Sequence, residues 1–203
     1  MRTRNRRALG PADHGRVMSL EQCLRLRETP GYVYELIDGA LVVSPSPKPR
    51  HDYWVEFVRA ALQDYVTKHP QRAYKLSERC DVVVPDRPGE TRPQPDLAAY
   101  RDYPDPPPED WKDVAPIVVV EVISARREKK DTIRNRHLYW SAKAIREYWI
   151  IDPSSDALAP TLIALKRQRD APDWVEQVVP FGKSFKSTAL PRFTLNLKRR
   201  KRK

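Results

Sequence analysis

Glu121 is the residue of this 203-residue chain least compatible with its sequence neighbours. It interrupts the run Ile117-Val118-Val119-Val120-Glu121-Val122-Ile123, whose β-branched composition predicts a buried central strand. An ionised carboxylate in such a strand is costly unless a cation pairs with it. Asp96, directly after Pro95, opens an earlier predicted strand and is a natural companion acid. A basic stretch follows: residues 126–143 hold Arg126, Arg127, Lys129, Lys130, Arg134, Arg136 and Lys143 against only Glu128 and Asp131. Taken alone, that stretch also suits a solvated helix face. Beside two acids on two strands it has a chemistry: oxygens to hold a divalent cation, positive charge to receive a phosphate, and phosphodiester hydrolysis as the reaction.

The elements that must position these residues are legible as patterns. Ser19 and Gln22 have the spacing of a capping box, which starts a short helix through Arg27. Tyr32–Leu36 and Ala40–Val43 form a hairpin around Asp38-Gly39. Val55, Val58, Leu62 and Tyr65 share one face of a helix running from about His51 to Lys68. His51, at its start, suits helix capping or packing better than catalysis. Strands follow at 73–76, 81–84, 96–100 and 117–124, then a helix over 129–142 and a strand over 148–151. Two or three C-terminal strands are expected near 161–165, 174–179 and 194–197. The order predicts an α/β fold with helices flanking a sheet. Residues 1–17 read as a disordered basic arm, 18–197 as one folded domain and 198–203 as a basic tail.

The net charge of +11 belongs to the ends. Ten of the 38 Lys and Arg lie in residues 2–7 and 198–203, which hold no acid, leaving 28 against 27 Asp and Glu. The end segments suit non-specific contact with polyanions or mere solubility. The longest apolar run is far too short for a membrane span, and no apolar stretch follows the N-terminal arginines. Cys23 and Cys80 lack metal or disulfide spacing and read as reduced thiols of a cytoplasmic protein. No serine sits in a nucleophile elbow and no glycine-rich phosphate loop is present, which disfavours serine hydrolysis and nucleotide-cofactor chemistry.

Several segments together resemble the Uma-type "putative restriction endonuclease" family of the PD-(D/E)XK nuclease superfamily. They are Tyr34-Glu35-Leu36-Ile37-Asp38-Gly39, the Ser44-Pro45 turn leading to His51, Pro95-Asp96, Val120-Glu121-Val122-Ile123-Ser124, Asp131 with Tyr139, and Glu147-Tyr148-Trp149-Ile150-Ile151-Asp152-Pro153. The resemblance covers roughly residues 19–197. It implies a restriction-endonuclease-like mixed central sheet and Mg²⁺- or Mn²⁺-dependent hydrolysis of DNA, with double-stranded DNA as partner. A homodimer is compatible with it. It further implies that Asp96 and Glu121 hold the metal and that Glu35 serves as an outer ligand. The superfamily pattern expects a lysine two residues after the second acid, where this chain has Ile123. The family commonly places it four residues before the tyrosine, where this chain has Asn135. Asn135 can orient a water but carries no charge, so Lys130 is the first choice for the missing cation, ahead of Lys129, Arg134 and Arg136. The alternative reading is a catalytically degenerate nucleic-acid-binding module of the same fold.

Overall fold

The structure is a computed structural model and describes residues 8–72, 74–124, 130–154 and 156–198. Residues 1–7, Arg126, Arg127, Lys129 and residues 199–203, all named above for their charge, lie outside the described residues.

Valine-rich, alternating segments assemble a six-stranded sheet in the order β3 (Lys75–Ser77), β4 (Leu97–Tyr100), β5 (Val118–Val122), β6 (Glu147–Asp152), β7 (Thr161–Lys166), β8 (Val175–Val179). Only β5 and β6 run parallel; the other neighbours are antiparallel. Its central strands β4, β5 and β6 are buried on both faces, their alternate side chains entering two separate cores. Val118, Val120 and Val122 pack with Trp54, Val58 and Leu62 of helix α2 (Pro49–Lys68). Val119 and Ile123 pack with Tyr139 of helix α3 (Asn135–Ser141) and with Tyr148. Glu121 has the parity of Val119, so it belongs to the α3 face. Each buried valine around it contributes about 1.5–3 kcal/mol, which offsets the expense of one carboxylate in the strand.

A second unit leans on this sheet. Helix α1 (Leu20–Leu24) carries the expected capping box: Gln22 N donates to Ser19 Oγ at 3.2 Å and Ser19 N to Gln22 Oε1 at 2.8 Å. Strands β1 (Tyr32–Ile37) and β2 (Ala40–Pro45) form a hairpin whose turn residues Asp38 and Gly39 both have positive φ, 52° and 75°. The hairpin is fastened near β4 by Arg92 N, which donates to Leu36 O at 2.6 Å.

Four expectations are corrected. Residues 8–17 are folded rather than unstructured: Leu9 is buried, its N–H donates to Arg27 O, and Gly15 N donates to Leu41 O. Such a segment has no periodic pattern, only a single apolar anchor. Residues 81–84 form no strand of the sheet. Val82 N and Val84 N instead bond Pro93 O and Thr91 O, in a stretch where prolines remove the donors a regular ladder needs. The helix expected over 129–142 opens, within the described residues, as a π-helical turn, Lys130–Arg134, before α3. The last predicted strand is a two-residue piece, β10 (Thr194–Leu195), pairing with β9 (Phe185–Lys186) away from the main sheet. No helix among the described residues is long and apolar enough to cross a membrane.

Candidate active site

Asp96 sits one residue before β4. Leu97 pairs with Val120, so carrying that register one step further places Asp96 opposite Glu121. Asp96 Oδ2 accepts Val122 N at 2.8 Å, closing the end of the β4–β5 ladder with a side chain. The same oxygen is 2.9 Å from His51 Nε2, in the first turn of α2. Burial alone would lower the His51 pKa, but Asp96 and, behind it, Asp52 together outweigh it and the pKa rises. The sequence pointed His51 toward capping or packing; the structure sets it on one of the two acids.

Glu121 is 2% exposed. Its Oε1 accepts Asn135 Nδ2 at 2.8 Å and the Tyr139 hydroxyl at 3.0 Å. Asn135 Nδ2 also lies 3.4 Å from Asp131 Oδ1, which ties Asp131 to the two donors on Glu121. Burial pushes the Glu121 carboxyl well above its ordinary range. Lys130 pulls it down, and Asp131, Asp96 and Glu35 push it further up. For Lys130, burial would lower the pKa, but Glu121, Glu35 and Asp131 outweigh it and hold the ammonium charged. Burial and the charge of Glu121 keep the Tyr139 hydroxyl a neutral donor.

Glu35 comes from the hairpin and has both oxygens committed. Oε1 is 3.2 Å from Lys130 Nζ and accepts Gln94 N at 3.0 Å, while Oε2 accepts Arg134 at 3.0 Å. That is the place of a counter-ion to two cations. Burial alone would raise the Glu35 pKa, but Lys130, Arg134 and the Gln94 amide outweigh it and the pKa falls. A depressed acid pKa contributes stability that is present above the unfolded value of 4.5 and lost as pH falls through the folded value. Glu35→Gln should therefore lower stability by about 3 kcal/mol at neutral pH, because it leaves two cations without their counter-charge. The gap to wild type should close as pH drops below that value; urea unfolding at several pH values checks this.

Glu147 gives a contrast on the same sheet. It is equally buried, yet Trp149 Nε1, Ser187 Oγ, Thr188 N, Thr188 Oγ1 and Ala189 N all donate to it. Neutral donors satisfy Glu147 completely and bind down the 187–189 segment. Asp96 and Glu121 differ. Among the described residues, their hydrogen bonds fall on one oxygen of each, Oδ2 and Oε1. The site opens through a cavity of about 220 Å³ lined by His51, Asp52, Val55, Glu78, Arg79 and Asp96, among others. Arg79 holds a positive φ of 49° there, a strained backbone of the kind found at functional sites.

Among the described residues no three Asp, Glu, His or Cys side chains form a ready-made metal cage. The donor set nonetheless fits Mg²⁺ or Mn²⁺. These are hard cations that take carboxylate oxygens, and Mg²⁺ is commonly held by one or two carboxylates, with water and substrate phosphate completing the shell.

A mixed sheet flanked by helices, carrying two acids at the ends of adjacent strands, has the restriction-endonuclease-like architecture. The chain belongs to the Uma2 family, described as "Putative restriction endonuclease", whose pattern it matches over residues 20–198. Among solved structures it is similar to "a putative nuclease belonging to DUF820 from Anabaena variabilis ATCC 29413", with a TM-score of 0.66 and 17% identity. That alignment covers 89% of this chain and 95% of the other. No curated protein matches the sequence. Membership of that family supports a nuclease function.

Proposed function

We propose that the protein is a metal-dependent endonuclease that hydrolyses phosphodiester bonds of double-stranded DNA in the cytoplasm. One observation carries this reading: the buried Glu121 stands opposite Asp96 in the β4–β5 register with the half-buried Lys130 beside it. A structural acid would be satisfied by neutral donors, as Glu147 is. When bound, Mg²⁺ would supply an acidified water and charge neutralisation at the phosphate. Asp96 and Glu121 would hold the ion. Asn135 and Tyr139 orient the Glu121 carboxylate through Oε1. Lys130, held by Glu35, supplies the positive charge that Ile123 and Asn135 do not. Arg134 shares Glu35 and keeps a second cation close. A homodimer suits this activity, since each subunit would then cut one strand.

The second reading, a binding module that has lost turnover, draws on the same Ile123 and Asn135. Incubating supercoiled plasmid with the full chain in Mg²⁺ or Mn²⁺ separates the two. Nicked and linear DNA with wild type, and none with Asp96→Asn, is the expected result. DNA retention without cleavage under any metal would favour the module.

The basic C-terminal segment should add affinity rather than chemistry. Deleting residues 198–203 should weaken DNA binding and flatten its salt dependence by about 0.9 in slope for each phosphate that is no longer neutralised. Single-turnover cleavage at saturating DNA should persist. Fluorescence anisotropy across a salt series measures the first effect and quench-flow the second.

A further inference from the structure

We propose that His51 is a positioning residue that aims the free oxygen of Asp96 at a divalent cation; this rests on the nuclease reading above. A carboxylate can only accept, so the 2.9 Å contact requires an N–H on His51 Nε2. Val122 N donates to the same Oδ2 at 2.8 Å. Two donors, one from α2 and one from β5, grip one oxygen and fix the carboxylate plane. Oδ1 takes no hydrogen bond among the described residues and remains available to an ion.

The other ring nitrogen decides between positioning and packing. His51 is nine-tenths buried, yet among the described residues its Nδ1 makes no hydrogen bond, and the nearest acid, Asp52 Oδ1, lies 3.5 Å away. A buried polar atom left unbonded is unfavourable, and an apolar side chain of similar volume would fill the space without it. The ring is therefore kept for what Nε2 does. Its place on the wall of the 220 Å³ cavity, beside Asp96, sets that action where an ion has access. Outer partners of this kind typically govern metal affinity by about 10–100-fold.

The test is Mn²⁺ binding to the full chain, read from the paramagnetic resonance of free Mn²⁺, alongside thermal unfolding. His51→Leu should weaken Mn²⁺ binding about 10–100-fold with no drop in melting temperature. His51→Gln, which keeps an N–H donor of similar reach, should stay within about threefold of wild type. If His51→Leu does not fold, His51→Asn, whose amide stops short of Asp96, takes its place. Wild-type affinity in the donor-less variant overturns the proposal. So does an equal weakening in both variants accompanied by lower melting temperatures, which would mark a packing role. In either case the nuclease reading stands. A wild-type protein that binds no Mn²⁺ overturns the metal-dependent reading and this inference together.

Discussion

Glu121→Gln should fold at least as stably as wild type and cut DNA about 10³-fold more slowly. The two halves of this expectation have one cause. In the metal-free protein, burial raises the Glu121 carboxyl well above 4.5. The folded chain thus holds that proton more tightly than the unfolded chain. Ionised Glu121 then opposes folding, and stability falls as pH rises from the ordinary carboxylate range through the raised value. Glutamine removes that charge and keeps an oxygen for the Asn135 amide and the Tyr139 hydroxyl. Lys130 retains Glu35 as its partner. What glutamine cannot do is hold a divalent cation as a carboxylate does. Thermal melts in chelator combined with plasmid nicking in Mg²⁺ or Mn²⁺ check both halves. Cleavage within tenfold of wild type would remove Glu121 from the active site.

Lys130→Ala should lower single-turnover cleavage about 10²–10³-fold while Mn²⁺ binding stays the same or tightens. The ammonium is held near Glu121 by Glu35, so it is placed for charge that develops on a phosphate. It also repels a cation bound between the acids, so its removal does not weaken metal binding. Asn135→Lys should raise activity or leave it unchanged, because it puts a cation where the family commonly has one. In the Lys130→Ala background it should recover at least about tenfold. Single-turnover rates at saturating DNA measure all three variants. A wild-type rate for Lys130→Ala would pass the role to Arg134 or another nearby cation. Inert wild type and inert Asn135→Lys across metals and DNA substrates would make the binding module the better reading.

The acids were legible because their sequence contexts violate simple expectations. A charge inside a valine run must have a reason, and Pro95-Asp96 marks the start of the strand that answers it. Asn135 and Tyr139 were singled out by the family resemblance, and their four-residue spacing keeps them on one helical face although a π-helical turn precedes them. The long helix and the hairpin turn followed from periodicity and from Asp38-Gly39. What stayed hidden depends on tertiary structure. Nothing in the sequence around His51 says that Asp96, 45 positions away, receives its ring. The resemblance offered Glu35 as an outer ligand; its cations, about a hundred residues later in a turn whose phase no pattern reveals, could not be read from the sequence. Residues 8–17 were invisible because hydrogen bonds to the hairpin and to the segment after α1, rather than periodicity, hold them in place.

The π-helical turn at Lys130–Arg134 carries a consequence for insertions and deletions. A wide turn accommodates one residue more than an α-helical path would use. Its spare geometry lets Lys130 and Arg134 reach Glu35 while Asn135 faces Glu121. The Tyr148 hydroxyl, which donates to Asp131 O at 2.8 Å, occupies a carbonyl that the wide turn carries. Removing any one residue from this turn would restore an ordinary helix and rotate everything before the deletion by about 100° relative to α3. Lys130 would swing off Glu35 although every side chain used at the site was still encoded. Length is thus constrained here more tightly than identity: exchanges at Thr132 or Ile133 leave the frame intact, whereas a single-codon deletion dismantles it.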